Sequence, residues 1–504
     1  MLKKLKKINK YLFGIVFLAL LLRLIGAEHD FPFVFHPDEP TIVRSALGVR
    51  FGSNPKHFDW PHLYIYLNYF LFMGFATFRK IITTVGLKPL VSGIFPIIWN
   101  EGLIFYLLTR VFGGILGALT AVPIYLAGKI LFNKTVGYFS ALAFIIIPFH
   151  VWSSHFSLPD VPMIFFLAWG LYFSARIFVY NKRLDYILAG FLVGLSASTK
   201  YNGGLSALTV PLALFLRWIS DRKKYSIRKK DFANLLLAGL LSIFGFVLGT
   251  PYAVLDYDTF SIDSNPKGAY WQFKNVGSVN LSEHILKLPE ELIHKIPDDF
   301  GYAIFLGAIL GLVILIFQLI KNKKVKKDYA AFLFVLPMVF FFWYISGFEK
   351  SRSQYYMILY PYVALSFGYF LAKAINIFPK IRYIIVLLFL LPPLFFSIRN
   401  VYALSLPETR VVLYEELRKK LAPGDVVVYV DSNIEPILAK LSNKSYKGTH
   451  YLKIYKLGYF VASSDEEIIR TRNYLSKIFP LVEQVSIEGN ERKGPSIAVF
   501  SFGK

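Results

Sequence analysis

The sequence predicts an all-α polytopic membrane domain of about eleven to thirteen transmembrane helices, followed by a small C-terminal α/β domain. Composition is the first observation: 55% of the 504 residues are hydrophobic and only 17% are charged, against roughly a quarter in soluble proteins. Apolar stretches of about twenty residues, the length of a membrane span, also recur along most of the chain. The C-terminal region instead combines amphipathic helical and short strand patterns.

The basic residues set the expected orientation. Five lysines lie within the first ten residues, and further basic runs occupy 222–230 and 321–327. Because Lys and Arg concentrate in cytoplasmic loops, these segments are predicted to be cytoplasmic. Division of the +24 net charge among short runs disfavours nucleic-acid binding, which needs basic residues gathered on one soluble surface. The lack of cysteine excludes disulfides, thiolate nucleophiles and cysteine-ligated metals.

The first predicted span is 11–27, which has no small-residue cleavage site after it and is therefore expected to be retained. Further candidate spans follow at 111–131, 135–152, 160–179, 184–199, 203–219, 232–252, 300–320, 329–346, 355–375 and 383–399. Alternating directions keep the basic runs on one side only if the region 63–107 crosses twice or not at all. Two crossings give about thirteen spans, and a re-entrant or interfacial hairpin is the alternative.

The same alternation predicts which segments face outward: the loops 28–62 and 253–299, the turn 347–354 and the C-terminal region. With its N-terminus in the cytoplasm, the chain is expected to be an integral protein of the plasma membrane. The candidate functional residues described below collect at this outer face.

The membrane domain is expected to occupy 1–402 and the extracytoplasmic α/β domain 403–504. In the second domain, ETRVVLYEELRKKLA predicts an amphipathic helix, while VVVYV and SIAVFSF predict strands. A second helix is predicted to begin at Ser464 with a capping-box pattern.

Adjacent carboxylates in the first outer loop are the strongest candidates for chemistry. Asp38 and Glu39 lie in FPFVFHPDEP, whose prolines and aromatic residues favour a fixed, partly buried loop over a solvated one. Neighbouring side chains on a helix point about 100° apart, so the two are expected to have different roles. One should face the reacting centre, while the other holds a metal, a sugar hydroxyl or a neighbouring helix.

Two further candidates lie at the outer ends of predicted spans. Asp160, in SSHFSLPDVP, either contributes to a site or simply caps a helix N-terminus. Lys200, in SASTKYNGG, departs from the positive-inside trend. It either extends to the membrane interface or binds a phosphate.

The turn between two late spans contributes Arg352, followed by Gln354 and Tyr355. An outward-facing arginine suits bidentate capture of a phosphate, with surface solvation as the alternative. His284 and His294, in the 253–299 loop, are candidate ligands, although lone loop histidines usually have no such role.

Seven motifs follow one another along the chain: HPDE, DWPHLYIYL, RVFGG beginning at Arg110, SSHFSLPDVP, ASTKYNGG, GTPYAVLDYDTF and KSRSQYYMILYPY. In this order they resemble the motifs of GT-C superfamily glycosyltransferases, in the branch that contains protein O-mannosyltransferases and lipid A aminoarabinose transferases. The resemblance covers about residues 10–400. Neither the WWDYG motif of oligosaccharyltransferases nor an MIR-type insertion is present, so the acceptor is left open between lipid, protein and glycan.

The resemblance implies a GT-C fold, a polyprenyl-phosphate-sugar donor and inverting transfer of a hexose or pentose at the outer leaflet. Such a displacement needs a base on the acceptor hydroxyl and cations on the departing phosphate. We expect Asp38 to be the base, with Glu39 supporting it or binding a metal. Lys200 and Arg352 are expected to bind the phosphate and Asp160 to position sugar or metal; the donor-binding set also includes Arg110 and Tyr355.

No organic cofactor is expected. A divalent cation, Mg²⁺ or Mn²⁺, is compatible with carboxylate ligands. Its candidate ligands are Glu39, Asp160, His284 and His294.

The main alternative is a transporter or flippase of lipid-linked sugars. That function predicts pseudo-symmetric halves and polar residues near the middle of the membrane. Clustering of the candidates at one face favours an enzyme instead. A non-catalytic scaffold whose C-terminal domain binds a partner is a third interpretation, for which this clustering is unnecessary.

Overall fold

The structure is a computed structural model that describes residues 9–220, 226–321, 326–420, 426–429, 434–442, 447–449, 458–462, 482–487 and 492–502. The chain forms two compact units. Unit 1 comprises Met1–Ile25 and Asp38–Arg399, and unit 2 comprises Gly26–Pro37 and Asn400–Lys504. The predicted helix beginning at Ser464 lies outside the described residues.

Helices dominate the described chain up to residue 420. They are α1 (Lys10–Leu24), α2 (Glu39–Gly48), α3 (Leu63–Thr84), α4 (Lys88–Ile94), α5 (Ile104–Leu119), α6 (Ala121–Leu131), α7 (Lys134–Ile145), α8 (Pro148–Ser153), α9 (Asp160–Tyr180), α10 (Arg183–Thr199), α11 (Thr209–Ser220), α12 (Lys229–Gly249), α13 (Tyr252–Leu255), α14 (Tyr257–Phe260), α15 (Ala269–Val276), α16 (Leu281–Glu290), α17 (Ile296–Phe300), α18 (Tyr302–Lys321), α19 (Lys326–Ser346), α20 (Ser353–Tyr356), α21 (Tyr360–Ile377), α22 (Arg382–Ser405) and α23 (Thr409–Lys420). Short 3₁₀ helices cover Pro96–Trp99, Tyr201–Leu208, Met357–Leu359 and Pro379–Ile381, and a π helix covers Glu291–Lys295.

Seven helical segments of the described chain are long and apolar enough to cross a membrane: Ile104–Leu131, Asp160–Tyr180, Tyr201–Ser220, Lys229–Gly249, Tyr329–Ser346, Ser353–Ile377 and Pro379–Lys419. Leu281–Phe300 and Tyr302–Gln318 form an eighth span only if they are counted together across a bend of 116°. The prediction of a helical membrane fold is therefore confirmed, whereas the count of eleven to thirteen stays a prediction. One predicted span, 135–152, is divided because α7 ends at Ile145 and Pro148 begins α8.

Small residues allow close packing around the end of α10. A Cβ atom added to Gly190 or Gly194 would collide with the backbone of α12, and one added to Gly245 would collide with that of α10. Small residues permit such backbone approach in membrane helices. The chain then leaves α10 in an extended conformation at Lys200, with φ −153° and ψ 134°. The position of Lys200 is thus set by a tightly packed helix pair.

Unit 2 contains a five-stranded sheet built from β1 (Val426–Tyr429), β2 (Lys447–Thr449), β3 (Gly458–Ala462), β4 (Val482–Ile487) and β5 (Ile497–Phe502). The strand order is β2-β1-β3-β5-β4. β1 pairs in parallel with β2 and β3, while β5 pairs antiparallel with β3 and β4. A further helix, α24 (Glu435–Ser442), follows β1 in the chain.

The core of unit 2 includes a residue from the first predicted outer loop. Phe33 packs in one buried cluster with Leu413 of α23, Ile437 of α24 and Val499 of β5. For this reason unit 2 includes Gly26–Pro37, which the sequence-based division assigned to the membrane domain.

A buried ion pair also ties this loop to the rest of unit 2. Lys493 Nζ lies 2.5 Å from Asp30 Oδ2, and His29 Nδ1 lies 3.0 Å from the same oxygen. Burial alone would raise the pKa of Asp30, but the hydrogen bond from His29 and the positive charge of Lys493 outweigh it and hold that pKa well below its usual value. Asp30 is therefore ionised in folded unit 2.

Lys493→Met should destabilise unit 2 by about 3 kcal/mol, because it leaves the Asp30 carboxylate buried without its cation. The depressed pKa of Asp30 gives stability that is complete above its unfolded pKa, about 4, and is lost as the pH falls below that value. Hydrogen exchange of the strand amides in the full-length protein measures the effect, and it should shrink in acid. Lys419→Met, which removes a more exposed lysine paired with Glu416, is the control. Equal protection in the two variants at neutral pH would contradict the assignment.

Candidate active site

Unit 1 contains a cavity of about 650 Å³, within the range typical of small-ligand sites. Its polar lining residues are Asp38, Thr41, Asp59, Lys200, Asn202, Gln272, Asn275, Arg352 and Gln354. Its larger apolar and aromatic lining residues are Trp60, Tyr201, Leu205, Leu208, Trp271, Phe273, Phe340, Tyr344, Ile345, Phe348 and Tyr355. Four residues singled out from the sequence, Asp38, Lys200, Arg352 and Tyr355, thus line one cavity although they are far apart in the chain.

Asp38 reaches the cavity from the start of α2. It directly precedes the helix, and its backbone carbonyl accepts a hydrogen bond from Thr41 N at 3.2 Å. Residues three apart share one face of a helix, so Asp38 and Thr41 line the cavity together. Asp38 is half-buried and lies at the wall of the cavity, where a bound ligand would contact it.

Glu39 has a different environment from Asp38. Its side chain and that of Arg110 are both fully buried and form a bidentate pair, with Arg110 Nε 2.7 Å from Glu39 Oε1 and Arg110 Nη2 2.8 Å from Glu39 Oε2. Ser157 N donates to Glu39 Oε1 at 2.8 Å. The pair joins α2 to α5, so Glu39 holds a neighbouring helix, which is one of the three roles expected for it.

This pairing corrects two expectations. Neither Glu39 nor Arg110 lines the cavity, because the guanidinium and the carboxylate are turned toward each other inside the protein. The donor-binding role expected for Arg110 and the catalytic or metal-binding role expected for Glu39 do not fit this geometry. The sequence analysis named Glu39 and Arg110 as candidate site residues, but in the structure they contribute to the packing behind Asp38.

Lys200 and Asp160 form a second buried pair. Lys200 Nζ lies 2.5 Å from Asp160 Oδ1, and it also lies 5.7 Å from the centre of the Tyr355 ring. Lys200 lines the cavity, whereas Asp160, in the first turn of α9, lies behind it. Asp160 thus positions the ammonium group rather than contacting a sugar or metal in the cavity.

Arg352 supplies the second cation. It lies in the turn before α20 and is exposed, and its guanidinium forms no ion pair with any residue that the structure describes. Gln354 and Tyr355 line the cavity from the same short segment.

The four candidate metal ligands do not converge. The carboxylates of Glu39 and Asp160 form ion pairs with Arg110 and Lys200, and His294 is exposed. His284 is buried, with its Nε2 2.7 Å from Ser346 Oγ and its ring 4.3 Å from the Trp343 ring. Among the described residues, no group of three His, Asp or Glu side chains could hold a metal ion. These residues therefore do not form the expected site.

Asp59 and Trp60 were missed as site residues, although the motif DWPHLYIYL contains both. Asp59 contacts His57 Nδ1 through its carboxylate, and His57 Nε2 lies 2.7 Å from Ser45 Oγ. Burial lowers the pKa of His62 to about 4, so its imidazole is neutral at physiological pH. Its Nε2 donates to the backbone carbonyl of His57 at 2.9 Å, because a carbonyl oxygen can only accept. Only the resemblance pointed to this segment, since an isolated Asp-Trp pair carries no chemical pattern of its own.

One side of the cavity is formed by candidate membrane spans. Leu205 and Leu208 belong to Tyr201–Ser220, and Phe340 and Tyr344 belong to Tyr329–Ser346. The cavity therefore places charged groups next to apolar walls from two helices of membrane-spanning length. This arrangement suits an amphiphile with an anionic head and an apolar chain.

Comparisons with known proteins agree with the earlier resemblance. Residues 107–248 match the family described as dolichyl-phosphate-mannose-protein mannosyltransferase. The chain is 30% identical over 160 residues to dolichyl-phosphate-mannose–protein mannosyltransferase 1 of Saccharomyces cerevisiae (strain ATCC 204508 / S288c). That alignment covers 30% of this chain and 18% of the yeast protein, so the chain spans less than a fifth of that relative.

Solved structures of similar fold include the following two. ArnT from Cupriavidus metallidurans in the apo state has a TM-score of 0.53 at 12% identity, covering 98% of both chains. The Archaeoglobus fulgidus oligosaccharyltransferase in complex with zinc and sulfate has a TM-score of 0.50 at 13% identity, covering 86% of this chain and 62% of that one. The resemblance to the GT-C superfamily is confirmed, and the structural likeness shows the shared membrane fold.

Proposed function

We propose that this GT-C-type protein is an inverting glycosyltransferase that moves a sugar from a polyprenyl-phosphate donor to an acceptor at the outer face of the membrane. One observation carries the proposal: a single cavity combines a carboxylate, Asp38, with two cations, Lys200 and Arg352, beside apolar walls of two candidate spans. This is the set of groups that a sugar linked to a lipid phosphate requires.

In the proposed reaction, Asp38 accepts the proton of the acceptor hydroxyl as its oxygen attacks the anomeric carbon. The bond from that carbon to the phosphate oxygen breaks, and its electron pair leaves with the polyprenyl phosphate. Lys200 and Arg352 stabilise the charge that grows on the phosphate, where fixed cations are most effective. The anomeric carbon gains oxocarbenium character, which a nearby carboxylate also favours.

The two cations are expected to contribute unequally. Asp160 already partly neutralises Lys200 and fixes its ammonium group at 2.5 Å. Arg352 has no such partner among the described residues and can offer a planar pair of donors to the phosphate. We therefore assign most of the binding energy for the lipid phosphate to Arg352. Lys200 is assigned mainly to stabilising the negative charge on the leaving oxygen.

The names of the matched family and of the yeast relative specify dolichyl-phosphate-mannose and protein. Mannose on a polyprenyl phosphate is accordingly the donor to test first, with protein, lipid and glycan acceptors compared. We place the catalytic site in unit 1, with the N-terminus in the cytoplasm of a plasma-membrane protein and the α/β domain outside.

Arg352→Lys should weaken binding of both polyprenyl-phosphate mannose and sugar-free polyprenyl phosphate by about tenfold, since the charge is kept but the planar fork is lost. Titration of each lipid against purified protein in detergent measures this effect. Arg50→Lys, at an exposed arginine outside the cavity, is the matched control. Lys200→Ala should weaken both lipids less but lower turnover as well.

Unchanged affinity for both lipids in the Arg352 and Lys200 variants would remove the two residues from the donor site. Release of sugar-free lipid by wild-type protein in the presence of acceptor separates an enzyme from a flippase. A flippase would bind the lipid-linked sugar and leave it intact.

A further inference from the structure

The turn that carries Arg352 is hydrogen-bonded to the end of α15 and to the loop that follows it. Val279 N donates to Gly347 O at 3.0 Å, and Lys350 N donates to Val276 O at 3.1 Å. Lys350 Nζ also donates to Asn275 Oδ1 at 2.7 Å. The backbone of 347–350 is thus paired with 275–279 rather than left to solvent.

Two lysines continue this attachment toward Arg352. Lys287 Nζ donates to the carbonyl of Phe348 at 2.8 Å. Lys295 Nζ donates to the carbonyl of Ser351 at 2.5 Å and to Ser351 Oγ at 3.0 Å. Phe348 lines the cavity, and Ser351 is bonded directly to Arg352. The two ammonium groups therefore hold the backbone on both sides of the turn.

A single carboxylate serves both lysines. Glu291 Oε1 lies 3.4 Å from Lys287 Nζ and 3.4 Å from Lys295 Nζ. The Glu291 side chain is only 4% exposed, so its charge is poorly screened by water. The three residues are spaced four apart, which places them on one face of the helical segment. The π helix Glu291–Lys295 begins at this carboxylate, and π turns within helices are frequent at functional sites.

We propose that Glu291 is a positioning residue for donor binding. By holding Lys287 and Lys295 against the carbonyls of Phe348 and Ser351, it fixes the turn so that Arg352 presents its guanidinium to the cavity. Glu291 does not line the cavity and acts only through the turn. This inference rests on the proposed function, because it needs Arg352 to bind the lipid phosphate.

The buried histidine His284 belongs to the same support. Its imidazole bonds to Ser346 at the end of α19, and a Cβ atom added to Gly347 would lie 3.3 Å from the ring. A residue predicted as a metal ligand therefore packs against the start of the Arg352 turn. The face of α16 and the π helix that carries His284, Lys287, Glu291 and Lys295 is directed at this turn.

The test is a double-mutant cycle on binding of sugar-free polyprenyl phosphate. Glu291→Gln keeps the side-chain volume but removes the charge, so the two ammonium groups lose their shared partner. It should weaken binding about tenfold in an otherwise wild-type protein, within the range of coupling found for residues that act together. In an Arg352→Ala background the same change should have almost no effect. Glu290→Gln, at the exposed neighbouring glutamate, is the control and should change neither background.

Equal loss from Glu291→Gln in both backgrounds would show a general structural role and overturn the positioning role, as would no loss in either. If Glu291→Gln does not fold, Lys295→Met replaces it in the same cycle with the same expected outcomes. Wild-type and Arg352→Ala proteins that bind the lipid equally would defeat the proposed donor site and this inference together. If Arg352→Ala weakens binding but Glu291→Gln causes the same further loss in both backgrounds, the positioning role of Glu291 is wrong and the proposed donor site stands.

Discussion

Asp38→Asn is expected to lower sugar transfer by at least about a hundredfold, the usual scale for loss of a general base. The amide has nearly the same volume as the carboxylate, so α2 and the cavity should keep their form. Asp38 accepts a proton only as the acceptor oxygen attacks, so the loss should fall on kcat more than on donor affinity.

Transfer from polyprenyl-phosphate mannose by purified, folded protein measures this loss, with lipid binding recorded in parallel. Asp258→Asn, at an exposed aspartate that does not line the cavity, is the matched control. Near wild-type turnover by Asp38→Asn would show that Asp38 is not the base. Asp59 would then be the next candidate, because it lines the cavity whereas Glu39 does not.

Arg110→Met should destabilise unit 1 by about 3–5 kcal/mol, the effect of removing one partner from a buried ion pair. Both side chains of the Glu39–Arg110 pair are fully buried, so the Glu39 carboxylate would be left with Ser157 N but without its cation. The double variant Glu39→Gln/Arg110→Met should recover part of the loss, because it removes the unpaired charge. Thermal unfolding in detergent measures both effects.

Arg79→Met provides the control, since Arg79 pairs at 3.2 Å with a largely exposed glutamate, Glu101, and such pairs contribute little. A variant at Arg110 that unfolds like wild type yet loses affinity for the donor lipid would contradict the structural role. The expectation that Arg110 binds the donor lipid would then be restored.

The sequence predicted the class of fold and several residues that line one cavity, because both depend on patterns along the chain. Apolar stretches and basic runs predict helices in a membrane. The segments predicted to face outward contained Asp38 and Arg352, and Lys200 was predicted at the outer end of a span; the structure brings all three to one cavity. Those predictions needed no knowledge of how individual side chains are oriented.

The sequence could not predict the directions in which individual side chains point. It indicated that Asp38 and Glu39 must differ, but not which of them faces the cavity, since that depends on the packing of α2 against α5. Asp160 and Arg110 were expected in the donor-binding set, and each instead pairs with a neighbour. Phe33 joins the core of unit 2 through a contact with residues about four hundred positions later in the chain, and no local pattern encodes it.

The most direct test of the central claim, that this cavity binds the lipid phosphate between Lys200 and Arg352, is an electron cryomicroscopy map of the protein with polyprenyl phosphate. Phosphate density should contact both side chains, and lipid density should follow the walls that contain Leu208 and Phe340. Phosphate density bound elsewhere, with the cavity between Lys200 and Arg352 empty, would contradict it.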